Sequence, residues 1–446
     1  MSHGRMNSAD ERRRVAIPRR STKGPLDAVE DDPLAALSSQ HAPSAIERSP
    51  SRPARSPAPR SPHLHDALTS PVSRTTTSPP ALQKDFSFLQ DASAYHVLPA
   101  SNIPPPFLNA PNIPSVSSPI DTLLLSGHYR LAAIAAARNL VSSTPPTDYT
   151  TLFHLLHIRL ACLCLIDEHA LAAQEAKVFG DLNSAFYYAD EAIGGRGRHL
   201  VPWELRILVV RLAALGYGEW RKGVMGYYEL ARECREAILS SSTDEEKSIW
   251  RARLRDCGIR VANVLVEMGD LEGAGRHLAS LGPASAEGEE GEKERREVTV
   301  MEALTWLRLG DITAARKCLA SLSSSQSDEL LDGTLKALLQ LADSDYASAV
   351  ASFESLHSRF PSDAMVTQNL AVCLLYTGRI AEAKDLLSAL AHETQPFHSL
   401  VFNLCTVYEL CTERNQDSKL ALASTMAARK SDGSVGWEIS NADFKL

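Results

Sequence analysis

The sequence predicts an all-α protein, a solenoid of paired helices preceded by a disordered arm. Two observations carry this. Four pairs of alanines recur in one register: Ala262 with Ala274, Ala303 with Ala315, Ala337 with Ala349, and Ala371 with Ala383. The spacing within a pair is the same all four times. The step from pair to pair is also the same for the last three, and longer only between the first and the second. A helix-ending turn also stands seven places after each first alanine: Gly269-Asp270-Leu271, Gly310-Asp311-Ile312, Ser344-Asp345-Tyr346 and Gly378-Arg379-Ile380. Glycine suits such a position because it tolerates the left-handed backbone of a helix end.

Large apolar residues follow four and seven places after each second alanine: Leu278 and Leu281, Leu319 and Leu322, Phe353 and Leu356, Leu387 and Leu390. That spacing is one face of a helix. Small residues let the two helices of a unit approach, and large ones fill the seam with the next unit. Pro361, a helix length beyond Ala349, stops the second helix of the third unit. The constant step, from Ala303 to Ala337 and from Ala337 to Ala371, is that of the tetratricopeptide repeat, a two-helix unit of about 34 residues. Stacked units of this kind form extended binding surfaces. The fold class is therefore a tetratricopeptide-repeat helical solenoid, with its regular array over residues 246–430.

The elements follow in order. Residues 1–83 are rich in Ser, Pro and Arg and poor in aromatic residues, so they cannot bury a core and are expected to be a disordered arm. Five Ser-Pro steps fall there, at Ser49, Ser56, Ser61, Ser70 and Ser78, the first three after an arginine. They fit either phosphorylation sites of a regulatory tail or an unselected linker. Residues 84–119 scatter Phe86, Phe88, Leu89, Tyr95, Leu98, Ile103 and Phe107 among prolines. This is too apolar for a free linker and too broken for regular helices. An extended segment lying on the solenoid, or on a partner, is expected.

Helical periodicity begins near Ile120. Residues 120–245 read as degenerate repeats: Gly127 then Ala132, and Gly218 then Gly223, keep the offset of five that the later turns show. Gly180-Asp181-Leu182 echoes the same turn. Residues 244–268 form one long helix, capped by Thr243 or Asp244. The longer first step, from Ala262 to Ala303, is explained by GPASAEGEEGEKERRE over residues 282–297, expected to be an acidic, Gly-rich loop. A last repeat begins near Leu404, with its second helix from about Ser418. Residues 431–446 are expected to be a tail of capping strand or coil, with Trp437 and Phe444 packed on the last helix.

The net charge is −8, but residues 1–80 carry +4 and the rest −12, an acidic body that argues against a nucleic-acid groove. No apolar run reaches the length of a membrane span, and residues 1–30 lack a signal-peptide core. The chain is expected to be soluble and intracellular. Its cysteines mostly fall in helical apolar patterns with no Cys-x-x-Cys, which fits reduced thiols. No phosphate loop, nucleophile elbow, dinucleotide fingerprint or zinc spacing is present. His154 and His157 share a helical face inside TLFHLLHIRLACLCL and read as core or groove histidines rather than metal ligands. No catalysis, cofactor or metal is expected. A chaperone-type carboxylate clamp is also excluded: Asn263 and Asn369 are available, but Ile259, Met301 and Thr334 stand where basic partners would be needed.

Several stretches go beyond the generic repeat. TQNLAVCLLYTGRIAEAKDLLSAL (367–390) followed by HSLVFNLCTVYEL (398–410) resembles subunit 12 of the transport protein particle (TRAPP) complex. VPWELRILVVRLAALGYGEW (201–220), VEMGDLEGAGRHL (266–278) and AYHVLPASNIPPPFL (94–108) are similar to the same family. The resemblance covers roughly residues 85–440. It implies a non-catalytic scaffold subunit of a vesicle-tethering complex in endoplasmic reticulum-to-Golgi transport and autophagy. Its partners would be other TRAPP subunits, with indirect action on a Rab-type GTPase. It would be cytoplasmic, with peripheral association with Golgi and intermediate membranes through the complex. An adaptor of another pathway, of cell-cycle or cargo-receptor type, remains the alternative.

Overall fold

The computed structural model describes residues 84–189, 197–281, 289–322, 328–430 and 435–446. The arm 1–83, with Ser49, Ser56, Ser61, Ser70 and Ser78, lies outside them. After a one-turn helix α1 (Pro105–Leu108), eight helical pairs follow along the chain. They are α2 (Ile120–Leu125) with α3 (Tyr129–Ser142), α4 (Tyr149–Leu165) with α5 (His169–Ala176), and α6 (Trp203–Tyr217) with α7 (Trp220–Ser240). Next come α8 (Asp244–Met268) with α9 (Leu271–Ser280), α10 (Glu289–Leu309) with α11 (Ile312–Leu322), and α12 (Glu329–Ala342) with α13 (Tyr346–Arg359). The last are α14 (Ala364–Tyr376) with α15 (Ile380–Glu393), and α16 (His398–Cys411) with α17 (Asn415–Ala427); a final turn is α18 (Asn441–Phe444). Each long helix packs on its neighbours in sequence, the arrangement of a helical solenoid.

One turn builds seven of the eight pairs. A residue at positive φ follows the first helix of each: Gly127, Asp167, Gly218, Gly269, Gly310, Ser344 and Gly378. In six of them the next amide bonds back five places, as His128 to Leu123, Glu168 to Leu163, Asp270 to Leu265, Asp311 to Trp306, Asp345 to Gln340 and Arg379 to Leu374, at 2.9–3.0 Å. That bond satisfies a carbonyl the helix end leaves free. Where the residue carrying this amide is aspartate, its carboxylate caps the second helix: Asp270 accepts from Gly273 N, Asp311 from Ala314 N and Asp345 from Ser348 N. The left-handed backbone disfavours residues with a Cβ by about 1–2 kcal/mol. A Cβ on Gly378 would have nothing within 4 Å. Gly378→Ala should therefore lower stability by about 1–2 kcal/mol through the backbone alone, and Ser344→Gly should not lower it; chemical denaturation of both variants measures this.

The N-terminal pairs repeat the same construction with other residues. Asp167, at φ 64°, fills the slot that glycine fills elsewhere, an exchange that Asp tolerates. Gly180, which echoes the turn in sequence, starts no helix. It ends a 3₁₀ turn at φ 61° and ψ −127°, and leads into irregular chain with an isolated bridge between Tyr188 and His199. The acidic insertion also departs from expectation. Its second half is helix, since α10 begins at Glu289 and runs 21 residues. The segment is rich in Glu, Lys and Arg, good helix formers at i, i+3 and i+4 spacing. Arg295 pairs with Glu292, and Arg255 of α8 holds Glu294 at 2.7 Å.

Residues 84–119 run along the helices as 3₁₀ turns, extended chain and α1. Phe86, Leu89 and Leu98 join the core of α2–α6, while Ile103 and Phe107 join the core built by α12–α17. The tail is coil over 435–440, as expected, and then turns into α18. Ser440 caps α18 reciprocally with Asp443, and Phe444 is buried. Trp437 does not sit on the last helix alone; its ring stacks on His128, 4.7 Å between centroids, at the far end of the array.

Candidate interaction surface

The framework residues lie inside the helical pairs. Ala262, Ala274, Ala303, Ala315, Ala337, Ala349, Ala371 and Ala383 are all 0–1% exposed. Phe353, Leu356, Leu387 and Leu390 are buried beside them. Gly269, Gly310 and Gly378 hold the turns at φ 81–88°. A position packed on both sides has no room for a larger side chain, and overpacking costs about 1–3 kcal/mol. Ala371→Leu is expected to lose about that much; an unchanged denaturation midpoint would show that the register is misassigned.

With the alanines turned inward, the opposite side of the first helices carries exposed apolar residues. On α10, Met301 and Leu304 flank the buried Ala303 and are 37% and 42% exposed. On α14, Met365 and Tyr376 are 63% and 62% exposed. Their separation is about three helical turns, so they share a face. Leu410 of α16 stands one full repeat after Tyr376, takes its place in the next unit and is also exposed. Phe402 of α16 is exposed as well. Tyr346 stacks flat on Tyr376 at 5.0 Å, which fixes that ring. Exposed apolar residues thus recur on α10, α14 and α16, but not on α12 between them, and offer apolar contact to a partner.

Polar rungs join successive first helices. Arg211 of α6 bonds Glu267 of α8, Arg255 of α8 bonds Glu294 of α10, and Arg296 of α10 bonds Asp332 of α12, at 2.5–2.7 Å. Ser399 of α16 bonds Gln368 of α14 at 3.3 Å. Partly exposed pairs of this kind contribute only about 0.2–1 kcal/mol each. They set the spacing of the first helices more than they hold the fold.

The arrangement offers apolar contact and a repeated pitch. His154 is exposed and His157 half-buried, its pKa lowered by desolvation. Among the described residues no group of three or more His, Cys, Asp or Glu could hold a metal, and no helix is long and apolar enough to cross a membrane. The cysteines are free; burial pushes Cys162 and Cys318 up to about 12 and Cys373 and Cys405 up to about 11. Raised thiols are poor nucleophiles at neutral pH. Asn263 is exposed and Asn369 half-buried, with no basic side chain in the clamp positions beside them.

Sequence reasoning missed two features. The capping aspartates Asp270, Asp311 and Asp345 stood in the turn triplets and could have been read as N-caps. The inter-unit rungs had no readable signal, because their partners are separated by whole helices and meet only through the stacking itself.

A tetratricopeptide repeat model matches residues 340–406, from the end of α12 through α13, α14 and α15 into α16. The trafficking protein particle complex subunit 12 of Mus musculus is 27% identical over 317 residues, 64% of this chain and 39% of its own length. That of Homo sapiens is 27% identical over 316 residues, 64% of this chain and 42% of its own. The chain thus spans about two fifths of the length of these relatives. A tetratricopeptide repeat protein of Parabacteroides merdae, known from its crystal structure, is 14% identical, with 62% of this chain and 91% of its own covered, at a TM-score of 0.36. A likeness of that size carries no argument. The resemblance read from residues 367–410 and the repeat period are borne out by the first three matches.

Proposed function

We propose that this tetratricopeptide-repeat chain, similar to subunit 12 of the trafficking protein particle complex, is a non-catalytic scaffold subunit of a TRAPP-type vesicle-tethering complex. Its partners are other subunits of that complex, held through the exposed face of the first helices. It acts in endoplasmic reticulum-to-Golgi transport and in autophagy, reaches a Rab-type GTPase only through the complex, and meets Golgi and intermediate membranes only peripherally. The observation that carries the reading is the 27% identity to the two subunit 12 proteins, joined to a helical solenoid with exposed apolar residues on its first helices. Within the chain, residues 120–245 and 246–430 would work as one scaffold, the first built on degenerate repeats and the second on regular ones.

Affinity purification of the full chain with mass spectrometry tests this. Recovery of other trafficking-complex subunits is expected. Met301→Asp with Phe402→Asp should reduce that recovery by about tenfold, the effect of roughly 1.4 kcal/mol in binding, with helicity unchanged. A single cargo receptor or ligase in place of those subunits would overturn the assignment in favour of an adaptor of another pathway.

A further inference from the structure

Three segments far apart in sequence meet at one joint. The first is residues 99–108 of the segment ahead of the repeats. The second is the turn from α2 into α3, residues 126–130. The third is the C-terminal segment 436–446. Arg130 is the pin. Its Nε donates to both carboxylate oxygens of Glu438, at 2.9 and 2.8 Å, and its Nη1 donates to Pro99 O at 2.5 Å. Trp437 is the wedge. One of its faces stacks on His128 at 4.7 Å, and Phe107 meets the indole edge-on at 5.2 Å. Backbone bonds close the joint: Trp437 N to Gly127 O at 2.9 Å, and Asn441 N to Asn102 O at 2.8 Å. Tyr129 lies so close to Gly436 that a Cβ there would come within 3.1 Å of its ring.

The joint connects opposite ends of the array. Phe107 is 1% exposed within the core of α12–α17, and α1 packs on α17. Gly127, His128 and Arg130 belong to the first helical pair. Leu98 lies in the N-terminal core and Ile103 in the C-terminal core, with only a short stretch of chain between them. A repeat array stabilised only by neighbouring units has no such long-range contact. The Arg130 and Glu438 side chains are 13% and 18% exposed, so the pair is largely shielded from water, and Ile439 and Phe444 of the same segment are buried in the core of α12–α17.

We propose that residues 436–446 are a clasp that closes the solenoid on itself. They pin the strap 99–108 and the first helical pair to the last pair, so that releasing the clasp opens the array between its ends while the repeats stay folded. The clasp fixes the curvature of the array and, through it, the spacing of the first-helix face.

The test uses the full chain with Trp437→Ala, Glu438→Arg, Arg130→Glu, and the Arg130→Glu/Glu438→Arg exchange. Hydrogen exchange is read by mass spectrometry and dimensions by small-angle X-ray scattering. In Trp437→Ala and Glu438→Arg, exchange in residues 99–108 and 436–446 should rise by about tenfold or more, and the radius of gyration should increase. Exchange in α12–α15 should not change, and the charge exchange should restore protection of 436–446 but not fully of 99–108, because a carboxylate at position 130 cannot donate to Pro99 O. Unchanged protection of 99–108 in both single variants overturns the proposal, as does faster exchange without a larger radius. Loss of protection throughout α12–α15 also overturns it, because the joint would then be part of one inseparable core. None of these readouts depends on the assignment to a tethering complex.

Discussion

Replacing Glu175 with alanine is expected to cost the fold about 3–5 kcal/mol, because it strands a buried guanidinium. Arg159 lies on α4 inside an otherwise apolar run and is 1% exposed, as is Glu175 on α5. Arg159 donates Nε to Glu175 Oε2 at 2.9 Å and Nη2 to Oε1 at 2.7 Å. Its remaining donors reach Ala133 O of α3 at 3.2 Å and His96 O at 2.8 Å. Glu175 Oε1 also accepts from His96 N at 2.9 Å. One ion pair thus ties three helices to the segment ahead of the repeats, with its hydrogen-bonding capacity spent inside the protein. Without the carboxylate, the buried guanidinium loses both of its charged partners and the part-buried His96 amide loses its acceptor. Urea denaturation should show the full loss for Glu175→Ala. An Arg159→Met/Glu175→Leu pair should recover most of it, since apolar replacement of both partners is often neutral or stabilising. A loss below about 1 kcal/mol for Glu175→Ala would mean that water enters the site.

That pair also shows where a sequence stops being legible. The alanine register and the glycine turns could be read because each is local, repeated and demanded by backbone or steric constraints. Gly269, Gly310 and Gly378 announce themselves; Asp167 does the same work under another side chain and is silent, while Gly180 offers the right residue in the wrong place. Residues 282–297 combine Gly with Glu, Lys and Arg, and the helix formers prevail from Glu289 onward, with the Arg255–Glu294 pair adding a contact to α8. Nothing in Arg159 or Glu175 alone names the other. Trp437 and His128 are farther still: their contact exists only because the array returns upon itself. Of the candidate surface, the turns and alanines that point the first helices were legible, whereas the exposed set, Met301 to Leu410, needed the packing to show which face was left over.

Truncating Phe86 to alanine is expected to lose about 3–5 kcal/mol, the usual cost of emptying a buried phenylalanine site. Phe86 stands well ahead of the first helical pair, yet it is 0% exposed. Phe153 of α4 meets its ring edge-on at 5.2 Å, with Phe186 at 5.1 Å and Tyr149 at 5.7 Å. Its amide donates to Pro146 O at 3.0 Å, so ring and backbone are both fixed. The flanking Phe88 is 37% exposed and serves as a control; Phe88→Ala should cost less than Phe86→Ala, because part of its ring stays in water on folding. The comparison separates two uses of an apolar segment ahead of a repeat array. A strap that completes the core makes Phe86→Ala far more damaging than Phe88→Ala, and the loss appears in the isolated chain. A segment reserved for a partner would show equal, small effects in the isolated chain and a difference only after the partner binds. With Phe86 surrounded by rings of its own chain, the first outcome is the one expected from thermal and urea unfolding of the two variants.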